Sequence, residues 1–81
     1  MKLEEAKKIM AEENLLRINW YGENDSDEHQ VGIELNSGEW VVYITNERAS
    51  IITGSILKFS SEDEALDNLI ERARFLKKYI V

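Results

Sequence analysis

The apolar residues of this chain keep two rhythms, and the order of those rhythms constrains the fold more than any other feature. From Leu16 to Ile44 they recur at every second position in three runs: Leu16, Ile18, Trp20; then Val31, Ile33, Leu35; then Trp40, Val42, Ile44. A period of two sets each run along one face of a strand. On both sides of this region the spacing turns helical. Leu3, Ala6, Ile9 and Met10 line one face of a segment from about Lys2 to Glu13, and Asn14 is placed to stop it in a left-handed conformation. Leu66, Leu69, Ile70, Ala73, Leu76 and Ile80 form the stripe of a second segment, from about Glu62 to Tyr79. Ser61 with Glu64 three residues later predicts its capped start. Acids in its first turns and lysines in its last suit the helix dipole.

Strand pairing follows from keeping each apolar row on one face. A two-residue turn at Ser37-Gly38 sets Leu35 beside Trp40, Ile33 beside Val42 and Val31 beside Ile44. A three-residue turn would set Trp40 opposite Glu34 and is rejected. An antiparallel first strand then adds Trp20 beside Val31, Ile18 beside Ile33 and Leu16 beside Leu35, with Arg17 facing Glu34 on the other side. A fourth strand is expected over about Ser50 to Phe59, bulged at Gly54, after a turn at residues 46–49. The expected fold is α+β, in the order α-β-β-β-β-α. It is a two-layer sandwich whose antiparallel sheet carries both helices on the face that bears Trp20 and Trp40. The opposite face would hold Tyr21, Val41 and Tyr43 among polar residues, too apolar for a fully wet surface and so a candidate contact or dimer face.

At 81 residues the chain is one domain, residues 1–81, with a small core. It has no cysteine, so disulfides and thiolate metal sites are excluded. No apolar run reaches the ~18 residues of a membrane span. The first residues mix charged and apolar side chains, unlike a signal peptide, so a cytoplasmic location is expected.

The net charge is −6, and its distribution matters more than its size. Between Arg17 and Arg48 there is no Lys or Arg, while the same stretch holds Glu23, Asp25, Asp27, Glu28, Glu34, Glu39 and Glu47. Nucleic acid would be repelled, since its binding depends on neutralising phosphates. The helix–strands–helix order invites comparison with double-stranded-RNA-binding domains, but the loop that should meet phosphate would here be acidic. A basic protein surface is the complementary partner.

Ordinary catalysis finds no equipment. His29 is the only histidine and has no nucleophile motif beside it. The Asn24/Asp25/Asp27 spacing lacks the central glycine and the twelfth-position glutamate of a calcium loop, since Asn36 stands there. The four glycines are scattered and form no phosphate loop. No catalytic residue, metal or cofactor is expected.

The stretches Asn19 to Ile33 (NWYGENDSDEHQVGI) and Tyr43 to Gly54 (YITNERASIITG), followed by a helix opening SSEDEAL, resemble a family of small bacterial immunity proteins, immunity protein 59, from polymorphic toxin systems. The likeness spans nearly the whole chain. It implies a cytoplasmic antidote that binds and blocks a cognate toxin domain, and in such systems the toxin is often a nuclease with a basic cleft. The resemblance brings no catalytic or contact residues with it. Charge and position instead single out Glu23, Asp25, Asp27 and Glu28 as partner-binding, with Tyr21 and Tyr43 as aromatic anchors. Two other readings compete. One is an adaptor that homodimerises through the sheet face opposite the helices. The other is an acidic nucleic-acid mimic that acts on DNA-binding proteins.

Overall fold

The computed structural model describes residues 1–79, and Ile80 of the expected helical stripe lies outside them. The elements run α1 (Leu3–Glu13), β1 (Ile18–Trp20), β2 (Val31–Asn36), β3 (Glu39–Ile44), a 3-10 turn (Thr53–Ser55), β4 (Leu57–Phe59) and α2 (Glu62–Tyr79). Helix α1 stops at Asn14, whose φ of 56° and ψ of 50° are left-handed and whose N–H returns to the Met10 carbonyl. Helix α2 starts where Ser61 Oγ accepts the Glu64 N–H at 3.3 Å and its hydroxyl donates to the Glu64 carboxylate at 3.2 Å. The fold class is the expected one: α+β, with a four-stranded sheet in the order β1-β2-β3-β4.

The β2–β3 hairpin has the expected register, pairing Leu35 with Trp40, Ile33 with Val42 and Val31 with Ile44. Ser37 and Gly38 both take positive φ, 53° and 81°, as a two-residue primed turn demands. Ile18, Trp20, Val31, Ile33 and Val42 then share one face with Leu66, Leu69, Ile70 and Ala73 of α2 and Ala6 of α1, with Trp40 half-buried against them. The Trp20 indole N–H donates to Met10 Sδ at 3.2 Å, tying that face to α1. Both tryptophans therefore lie on the helix-covered side.

The sheet is mixed rather than antiparallel, and the correction lies at β1. It runs parallel to β2, with Ile18 beside Val31, Asn19 beside Gly32 and Trp20 beside Ile33. The period-two pattern is blind to this choice, because reversing a strand keeps the same residues on the same face. Direction decides which ends meet. Leu16 and Leu35, partners in the antiparallel arrangement, are instead 78% and 56% exposed. Arg17 does not face Glu34; its guanidinium reaches the Glu28 carbonyl at 3.4 Å. The expected strand over 50–59 is also broken. Ile51 makes a single bridge to Thr45, the 3-10 turn contains Gly54, and only Leu57–Phe59 pairs with β3. Ser55 explains the break: its hydroxyl donates to the Ile52 carbonyl at 2.6 Å and accepts the Ile44 N–H at 2.9 Å. A side chain takes the place of the ladder there.

Candidate functional site: the acidic crossover loop

Two parallel neighbours cannot be joined by a tight turn. Residues 21–30 must carry the chain back from the end of β1 to the start of β2, and this crossover is the acidic segment. It leaves β1 through two positive-φ residues, Tyr21 at 49° and Gly22 at 71°, with the Glu23 N–H returning to the Trp20 carbonyl at 2.9 Å. Two buried polar side chains on the sheet face away from the helices then hold it. Asn19, 3% exposed, donates Nδ2 to the Asn24 carbonyl at 3.1 Å and accepts the Asn24 N–H at 3.4 Å. Thr45, fully buried, donates its hydroxyl to the Asp27 carbonyl at 2.7 Å and accepts the Gln30 N–H at 2.8 Å. The His29 N–H reaches the Asn46 carbonyl at 3.2 Å, and Gln30 Oε1 accepts the Asp27 N–H at 2.9 Å. The loop thus lies across the second face of the sheet, clamped through its backbone, with residues 22–28 exposed.

The four candidate acids separate by what they touch. Glu23 stands 3.9 Å from Lys7 Nζ, a loose and solvated pair. Asp27 Oδ1 accepts the Glu28 N–H at 2.8 Å, so this carboxylate shapes the loop as well as charging it. Asp25 and Glu28 have no ion pair among the described residues and project from a fixed backbone. Among the described residues no three His, Cys, Asp or Glu side chains converge as a metal site requires, and no helix is long and apolar enough to cross a membrane.

The two tyrosines do not share a face, which corrects their pairing as surface anchors. The turn at Tyr21 carries its ring to the helix side, half-buried against the core, where its hydroxyl donates to Glu62 at the start of α2. Burial, and then the Glu62 carboxylate, push its phenol far above the usual tyrosine range. Tyr21 therefore anchors the root of the loop to α2. Tyr43 does lie on the other sheet face, but it is only 7% exposed, with its ring laid over Gly32 so closely that a methyl group there would overlap it. Burial also raises its phenol, with Glu34 adding to the shift. Tyr43 is core beneath the loop layer, and this face is not a free dimer surface.

Sequence reasoning missed the residues that hold the site, Asn19 and Thr45. One signal was present. Asparagine is poorly suited to strand interiors, and Asn19 sits between Ile18 and Trp20 in the most apolar part of its strand. Comparison with family models, curated proteins and solved structures finds no match for the chain.

Proposed function

We propose that the protein is an immunity protein, a cytoplasmic antidote whose crossover loop enters the basic cleft of a cognate toxin domain, a nuclease being the natural target. The observation that carries this reading is a run of acids held by a clamped backbone. Four carboxylates within six residues, Glu23, Asp25, Asp27 and Glu28, stand on a loop pinned by Asn19 and Thr45. Fixed charge requires little ordering on binding, so less of the interaction is spent on entropy. It also steers encounter, up to ~10⁸–10⁹ M⁻¹s⁻¹ at low salt, which suits an antidote that must arrive before damage is done. The resemblance of WYGEND and the NER turn to an immunity family, read from the sequence, implies the same role.

The test is capture of the product of the gene adjoining the one for this chain, first with the wild type and then with Asp25→Asn/Glu28→Gln. Among the described residues these two carboxylates serve no ion pair, so the variant removes charge without touching the clamp. The wild type should bind that product and protect cells from it, and the variant should lose protection while keeping its thermal stability. An adjoining gene without a toxin domain, or full protection by the variant, would overturn the reading.

A further inference from the structure

The solvent side of α2 carries two aromatic rings that the fold does not use. Phe75 and Tyr79 are 57% and 60% exposed, with ring centroids 4.6 Å apart, and Lys78 Nζ lies 5.4 Å from the Tyr79 ring. They border a groove of about 500 Å³ lined along the same helix by Asn68, Glu71 and Arg72. Solvated helix faces seldom spend two large rings without a partner.

We infer that this ridge is a two-fold interface, on which α2 of one copy lies antiparallel against α2 of a second copy. The charge order along the ridge selects that occupant. Its amino-terminal part carries Glu64 and its carboxy-terminal part Lys78, with Glu71 and Arg72 adjacent between them. An isologous antiparallel pair centred between Glu71 and Arg72 sets each residue against one from the opposite half. Glu64 then meets Lys78 and Tyr79 of the second copy, Glu71 meets Arg72, and Asn68 receives Phe75. Every charge on the ridge finds the opposite sign, which neither a parallel pair nor a uniformly charged partner would provide. Arg74 is left out because Glu13 already holds it, with Nε donating to Oε1 at 2.8 Å. Arg72 keeps its own place by donating Nη1 to the Ser55 carbonyl at 2.7 Å.

An 18-residue helix is ~27 Å long. Contact over a strip roughly 20 Å wide buries about 500 Å² on each copy, near the lower limit for a specific interface. The pair is therefore a weak one. Its geometry leaves the crossover loops on the two outer faces, away from the contact, so dimerisation and the loop's function are independent.

The experiment is sedimentation equilibrium of the whole chain from about 5 to about 500 μM, a range that brackets micromolar self-association. The mass should climb from 9.4 kDa towards twice that value. Phe75→Glu should weaken the dimer at least ~30-fold, as for a central interface aromatic, with unfolding unchanged because the ring is exposed. A second measurement does not depend on that variant. The chain lacks cysteine, so Glu71→Cys, next to the two-fold axis, should cross-link to a disulfide dimer under mild oxidation. Lys58→Cys, on the far side of the sheet, should not. A wild type that stays monomeric throughout, a dimer undisturbed by Phe75→Glu, or equal cross-linking at both positions would overturn the inference.

Discussion

Replacing Thr45 by valine keeps the shape of a fully buried side chain and deletes only its hydroxyl. That hydroxyl makes two short bonds to the crossover loop, donating to the Asp27 carbonyl at 2.7 Å and accepting the Gln30 N–H at 2.8 Å. The two losses are unequal. The Gln30 N–H lies half-buried at the entrance to β2 and is left without a partner, a cost of about 1–3 kcal/mol. The Asp27 carbonyl belongs to an exposed residue and can turn to water, so only the net bond is lost, about 0.5–1.5 kcal/mol. Thr45→Val should therefore destabilise by roughly 2–4 kcal/mol, which in a domain of this size is a fall in Tm of at least ~10 °C. Thr45→Ser is the control: it keeps both bonds and loses one buried methyl, about 1 kcal/mol. Urea unfolding followed by circular dichroism gives the energies. Hydrogen exchange should also show the Gln30 amide losing protection in Thr45→Val before the β2–β3 hairpin does. A loss below about 0.5 kcal/mol for Thr45→Val, or equal losses for valine and serine, would refute the idea that this hydroxyl clamps the loop.

Two further outcomes follow from the aromatic contacts. Gly32→Ala should cost about 1–3 kcal/mol in denaturant unfolding, because its methyl group meets the Tyr43 ring; a neutral result would mean that the ring is free to move aside. Stability should fall as pH rises above ~10, because the folded chain retains phenolic protons at Tyr21 and Tyr43 that the unfolded chain releases there. Below that pH both states hold the protons and the contribution is complete; Tyr21→Phe should flatten the alkaline decline measured by denaturant midpoints, and an unchanged slope would show that Tyr21 does not contribute.

The two helices and the β2–β3 hairpin were legible because their signals are local, whereas the break in the expected 50–59 strand was not, because it rests on Ser55 bonding Ile44 of β3. Helical stripes, the Ser61 box, the Asn14 stop and the Ser37-Gly38 turn each act within a few residues, and among the described residues each stands as the spacing predicts. The direction of β1 was not legible, since alternation records a face and not a direction. It depends on where residues 21–30 cross, which rests on Asn19 just before the loop and on two side chains distant in sequence, Thr45 below the loop and Glu62 packed at its root. The same limit hid the site's construction. The acids were visible as charge, but the buried amide and hydroxyl that fix them looked like ordinary polar residues on an open sheet face. The burial of Tyr43 is hidden from the sequence for a related reason. Its place over Gly32 was readable from the hairpin register, whereas the layer closing over that face was not.

Under the proposed function, charge fixed on the crossover loop governs capture of a basic toxin surface. The most direct measurement is the association rate of the toxin domain with wild type and with Asp25→Asn/Glu28→Gln, taken across ionic strength by stopped flow. Each carboxylate about 6 Å from a cation in water contributes roughly 0.7 kcal/mol, about threefold in rate, so losing both should slow association about tenfold at low salt. The gap should close as salt shortens the screening length to ~3 Å near 1 M. Equal rates for the two proteins at low salt, with no dependence on ionic strength, would show that the loop's charge does not govern capture.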